Sequence, residues 1–267
     1  MMMHAFRWQA ALLLLLALVG CAGGAGSYSS GSGKDWVTES DEPEVRKRAR
    51  VRLQLGAGYF EQGQNTVALD EAKQAIAIDP TFVAAYNLRG LIYMQLNEMK
   101  LAEESFQQGL RVNPRDPDTL HNFGWMRCQE GRFADAFQFF GRALEIPNYA
   151  GASRSLMAMG LCQMKAGQHA EAESSFVKAF ELDPSNPVTN YNLAVLLHKR
   201  GETERARYYV RRVNSSEFVN AESLWLGIKI ENRLQNRESA RQLGEQLRRR
   251  FPESREAGAY ERGAFNE

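Results

Sequence analysis

Residues 83–116 read VAAYNLRGLIYMQLNEMKLAEESFQQGLRVNPRD, two runs of apolar residues at helical spacing, broken at Leu96-Asn97-Glu98 and ended by Pro114. Working outward, Gly90 has counterparts 34 residues before and after it, Gly56 and Gly124. The same interval relates Tyr59 to Tyr93, Ala68 to Ala102 and Ala136, and Pro80 to Pro114. After an insertion of two residues near 147–151 the pattern resumes with Gly160, Ala172, Phe176, Ala179 and Pro184, then with Ala194 and Ala206. A last copy ends on Ala240 and Pro252.

A 34-residue period with small, aromatic and proline positions in this order is the tetratricopeptide signature, so the expected fold is all-α, a tetratricopeptide superhelix of about six helix-turn-helix repeats. Glycine or alanine in the first helix and alanine in the second let the two approach closely, and Tyr59, Tyr93, Phe106, Phe140 and Phe176 fill the space beside them. Proline near the end of each repeat stops the second helix, since its ring fixes φ and removes a donor. Gly63, Gly131, Gly167 and Gly201 fall where the turn between helices needs positive φ. The repeats are expected at 49–82, 83–116, 117–152, 153–186, 187–220 and 221–254, within a domain spanning 41–254 and followed by a C-terminal tail, 255–267. The charged stretch 39–52 and the polar tail are the natural caps for a stack in which each repeat packs only on its neighbours.

The N-terminal residues differ from the rest. His4 and Arg7 precede an apolar run from Ala10 to Val19, which reads as a signal peptide over residues 1–20. The run is too short to span a bilayer core of about 30 Å. Leu18-Val19-Gly20-Cys21 resembles a bacterial lipobox, which implies acylation of Cys21; the alternative is an ordinary export signal that happens to contain a cysteine. Two or more acyl chains anchor stably where one is marginal. Ala22 after the cysteine, by analogy with such lipoproteins, implies transfer to the outer membrane. Residues 22–34 are rich in Gly and Ser, so 21–40 is expected to be a flexible tether with a reach of about 25 Å.

The formal net charge of +1 argues against a phosphate backbone as partner, so nucleic acid is not expected. The histidines at 4, 121, 169 and 198 are scattered, and no phosphate loop or nucleophile elbow is present. No metal, cofactor, catalytic residue or small-molecule substrate is expected. Cys128 and Cys162 lie late in the first helices of repeats three and four, and an exported chain meets an oxidising compartment. They read either as a disulfide or as two buried thiols behaving as small apolar residues.

First helices of such arrays line the concave face. Their places 5, 9 and 12 are Leu53, Ala57 and Phe60; Asn87, Leu91 and Met94; His121, Trp125 and Cys128; Met157, Leu161 and Met164; and Tyr191, Val195 and His198. Ten of these, Leu53, Phe60, Leu91, Met94, Trp125, Met157, Leu161, Met164, Tyr191 and Val195, make an apolar strip suited to a peptide or helix of another protein. The competing expectation is that they are ordinary core. The arginines at 211–212 and 248–250 read as solvated helix ends.

The chain from lipobox to tail resembles the type IV pilus biogenesis and stability lipoproteins of the PilF/PilW type, the secretin pilotins. The resemblance rests on His121-Asn122-Phe123-Gly124-Trp125 through Cys128, on Met159-Gly160-Leu161-Cys162, and above all on Ala221 to Glu231, AESLWLGIKIE, followed by Leu247 and Phe251-Pro252-Glu253-Ser254. Trp125 and Arg127 occupy places where variation is expected. The resemblance implies a non-enzymatic lipoprotein on the periplasmic face of the outer membrane. There it would bind subunits of the pilus secretin and assist their localisation or multimerisation, and so pilus assembly and twitching motility. It also implies that the two cysteines are paired. The other class of function compatible with an anchored repeat array is a general periplasmic adaptor that recruits peptidoglycan enzymes or other envelope proteins.

Overall fold

Thirteen α-helices run in order through the described part of the chain, which covers residues 41–265 of a computed structural model. They are α1 (Glu44–Glu61), α2 (Asn65–Ile78), α3 (Val83–Gln95), α4 (Met99–Val112), α5 (Pro117–Gln129), α6 (Phe133–Leu144), α7 (Ala152–Lys165), α8 (His169–Leu182), α9 (Pro187–Arg200), α10 (Thr203–Asn214), α11 (Ala221–Arg233), α12 (Arg237–Arg250) and α13 (Arg255–Glu261). No strand occurs among the described residues. The signal peptide, Cys21 and the tether expected over 1–40 lie outside them.

The turn inside every repeat is built alike, around one residue in the left-handed region. Gly63, Gly131, Gly167 and Gly201 fill that place in four repeats, with φ between 73° and 87°. Asn97 fills it in the second repeat (φ 61°) and Gln235 in the sixth (φ 58°). Turns between repeats follow a second rule, in which a side-chain oxygen at the end of one helix holds the backbone two residues on. Asp79, Asn113 and Asp183 accept from the amides of Thr81, Arg115 and Ser185 at 2.9, 3.0 and 3.0 Å. The next helix is then capped: Asp116 accepts from the Thr119 amide at 2.8 Å and Asn186 from the Thr189 amide at 2.9 Å, each ahead of a proline in the first turn.

Packing within a repeat depends on a glycine facing a phenylalanine. Phe106, Phe140 and Phe176 are fully buried; a Cβ on Gly90 or Gly160 would collide with the Phe106 or Phe176 ring, and one on Gly124 would press on Phe140 at 3.2 Å. Burying one such ring contributes about 1.5–3 kcal/mol, so three of them are a large part of the central core. Between repeats, α1 touches α3, α3 touches α5, α5 touches α7, α9 touches α11 and α11 touches α13, whereas no pair of even helices is in comparable contact. The odd helices are therefore the closer-spaced set, and the stack curves with their face on the inside.

Both ends of the stack carry charge and capping contacts. At the first repeat, Arg46 pairs with Asp79 and donates to Thr81 Oγ1 at 2.9 Å, with its guanidinium 4.7 Å from the centre of the Phe82 ring. At the other end, the segment expected to be a polar tail holds α13. Ser254 caps it, accepting from the Ala257 amide at 3.1 Å, and it packs on α11 and α12 through buried Ala257 and Ala259. Phe265 lies 5.6 Å, centroid to centroid, from Trp225. Ala257, Ala259, Tyr260 and Phe265 place enough apolar surface on α11 and α12 to order a stretch whose composition is mostly polar.

Candidate functional site

The ten strip residues are all half-buried, each packed on one side against the core of its own repeat or of the next. Leu53 and Phe60 lean on Ala68, Ala72, Leu88 and Ile92. Leu91 and Met94 lean on Phe106 and Phe123, Trp125 on Cys128 and Phe140, and Met157, Leu161 and Met164 on Phe176. Tyr191 and Val195 lean on Ala194 and Leu197. Since odd helices occupy the inner side, these side chains place apolar surface there in each of the first five repeats, anchored to the core and partly exposed on their other side.

Three neighbouring positions behave differently. His121 is buried; its Nδ1 lies 2.8 Å from Ser155 Oγ, and burial, together with the nearby Arg154 guanidinium, pushes its pKa down to about 4. Cys128 is also buried, in a disulfide with Cys162 that joins α5 to α7 across a Cα separation of 5.8 Å. Those two positions, read from the repeat pattern as groove places, therefore belong to the interior, because the third repeat turns that side of α5 onto α7. Asn87 accepts from Asn122 Nδ2 at 3.0 Å, a polar link between α3 and α5 within the strip.

Arg127 is the buried group that sequence reasoning missed. Its side chain is 4% exposed, pairs with Glu103 and with Glu130 at 2.8 Å, and its guanidinium lies 4.7 Å from the centre of the Phe123 ring. The two carboxylates compensate its burial and the pKa stays above the ordinary arginine value. This is a structural network tying α4 to α5, on the side away from the strip. Trp125 carries Lys165 at 5.4 Å from its ring centre, so the strip has a cation at its middle.

Two clefts lie at the C-terminal end. The larger, about 790 Å³, opens between α10 and α12 over Gly227 of α11, on the outer side. Its three arginines are engaged: Arg207 pairs with Glu204, Arg211 donates to the buried Glu231 at 2.7 Å, and Arg212 donates to the Pro184 carbonyl at 3.2 Å. The smaller, about 610 Å³, is lined by α9, α11, α13 and Arg262 just after it, and so continues the inner face beyond Tyr191 and Val195. No group of His, Cys, Asp and Glu that could hold a metal occurs among the described residues.

With this geometry in hand, comparison with known proteins is informative. Family profiles described as "TPR repeat" and "Tetratricopeptide repeat" match residues 56–97, 83–116 and 163–222. The type IV pilus assembly protein PilF of Pseudomonas aeruginosa is 30% identical over 248 residues, which cover 93% of this chain and 96% of that one. The chain belongs to the PilF family. A solved structure of P. aeruginosa PilF is similar at a TM-score of 0.74 and 29% identity, covering 82% of this chain and 99% of that one. The crystal structure of PilW, described as a widely conserved type IV pilus biogenesis factor, is similar at a TM-score of 0.70 and 29% identity, covering 80% and 98%. PilF-family membership thus accompanies an all-helical tetratricopeptide fold, a kind of array that acts through contacts with other proteins.

Proposed function

We propose that this PilF-family chain is a lipoprotein held at Cys21 on the periplasmic face of the outer membrane. There its inner, odd-helix face binds subunits of the type IV pilus secretin and assists their localisation and multimerisation, and so pilus biogenesis and twitching motility. The observation that carries the reading is the relation to the P. aeruginosa pilus assembly protein along nearly the whole of both chains. The half-buried strip on the odd helices supplies the contact surface, since apolar side chains fixed by a core on one side and open on the other bind a partner with little ordering cost. The tether read from residues 21–40 would let the array work away from the bilayer surface.

The test is deletion of the gene, followed by semi-denaturing gels of the secretin and by counts of surface pili. Loss of secretin multimers with unchanged monomer is expected, restored by the wild-type gene and not by Cys21→Ala. Unchanged multimers in the deletion strain would refute it. Envelope pull-downs returning peptidoglycan hydrolases and no secretin would do the same in favour of a general adaptor.

A further inference from the structure

The cleft bounded by α9, α11 and α13 combines an apolar wall with an excess of cations. Val195, Trp225 and Leu226 supply the wall, continuing the strip from the fifth repeat into the sixth. Around it stand Lys199, Lys229, Arg255 and Arg262, against the carboxylates of Glu222 and Glu256. Of these, Arg255 is near Glu256 at 3.9 Å, while neither Lys199 nor Arg262 forms an ion pair among the described residues. Two of the four cations come from α13 or just beyond it, so the site exists only because that segment folds back on the last repeat.

Two further features mark this place. His198 lines the cleft and its Nδ1 is buried with no hydrogen-bond partner among the described residues, a polar atom whose desolvation none of them offsets. The local field is positive as well. His198 is held below the ordinary histidine range by burial first and then by Arg233 and Lys229, and Lys229 is itself held down by burial and then by Lys199. The outer cleft between α10 and α12 differs, since Arg207 and Arg211 are paired with Glu204 and Glu231 and Arg212 donates to the Pro184 carbonyl and lies over the Phe180 and Tyr208 rings.

We propose that the inner cleft is a docking site for an acidic, apolar segment of a partner protein, with an apolar side chain on Trp225 and Leu226 and carboxylate side chains among Lys199, Lys229 and Arg262. Charge complementarity selects this occupant: a neutral apolar segment would bury Lys199 and Arg262 uncompensated, and a basic one would be repelled. The assignment deepens the proposed function and rests on its reading of the odd-helix face as the binding face.

The test uses the full-length protein in detergent and fluorescence anisotropy of a labelled peptide carrying Trp-Leu flanked by two glutamates on each side. A second peptide has glutamines in place of the glutamates. The acidic peptide is expected to bind at least tenfold more tightly than its neutral twin, with an affinity that falls as salt rises. Lys199→Glu together with Arg262→Glu is expected to erase that preference, whereas Arg249→Glu on α12 leaves it intact. Equal binding of the two peptides to the native protein overturns the assignment without recourse to any variant, as does a preference that survives the double substitution. A failure of the secretin reading would show as absent secretin capture by the wild-type protein with the peptide result intact, so the two failures are distinguishable.

Discussion

Opening the Cys128–Cys162 disulfide should lower the stability of the array substantially while leaving its packing in place. The bond closes a loop with a sequence separation of 34 residues, which contains all of α6 and joins α5 directly to α7. In the chain-entropy account, freeing a loop of that length in the unfolded state costs the fold about 3.8 kcal/mol at 25 °C. The folded side of the balance changes little. Both sulfurs are buried beside Ala136, Phe140 and Ala158, where two thiols fit as small apolar groups. For a domain of this size each kcal/mol moves the melting point by roughly 2–4 °C, so reduction should lower it by about 8–15 °C. The assay is circular-dichroism melting of one preparation with and without a strong reductant, with thiol titration to establish the redox state. Melting points agreeing within a degree or two would refute the loop argument, and labelling of both cysteines in the unreduced native protein would refute the bond itself.

Four further outcomes are expected. Gln235→Gly should stabilise the fold by up to about 1 kcal/mol, because Gln235 is held at positive φ where glycine is not strained; urea midpoints compare the two, and a destabilised variant would contradict the turn geometry. Phe176→Ala should cost about 3–5 kcal/mol by the same measurement, since the ring is fully buried against Gly160. His121 should titrate near pH 4 by NMR, and the stability it contributes should be complete above about pH 6.5, the unfolded value, and be lost as pH falls toward 4, because the unfolded chain takes up the proton first. His121→Gln should flatten that part of the pH profile, and an unchanged profile would count against the buried, neutral ring. Arg127→Met, which removes the buried guanidinium and leaves Glu103 and Glu130 at the rim, should be tolerated far better than Glu103→Met with Glu130→Met, which strands the charge; equal melting points for the two would contradict the network.

The repeat architecture was legible because it is written in residues with few physical substitutes. A glycine facing a buried phenylalanine, an alanine at a helix crossing and a proline at a helix end each answer one steric demand, and they recur at a fixed interval. What escaped notice had weaker local signals. The left-handed place in the turns was evident where it is glycine, but Asn97 and Gln235 take it in the second and sixth repeats because the packed helices on either side impose it. Helix α13 is short, and its apolar contacts are Ala257, Ala259, Tyr260 and Phe265 spread through polar neighbours, so only its docking on α11 reveals it. The cation excess at the inner cleft was invisible for the same reason, since Arg255 and Arg262 meet Lys199 and Lys229 only after that docking. His121 and Cys128 were read as groove places by analogy between repeats. Both side chains instead turn onto α7, His121 against Ser155 and Cys128 into its bond with Cys162.

The most direct measurement of the central claim is co-purification of the secretin with the full-length, membrane-derived protein. Wild type would be compared with a variant carrying Leu91→Glu and Met164→Glu on the inner face and with Arg249→Glu on the outer side. The account predicts that secretin is retained by wild type and by the outer variant and lost from the inner one, while all three keep their helical signal at the working temperature. Equal retention of secretin by the folded inner-face variant would contradict it.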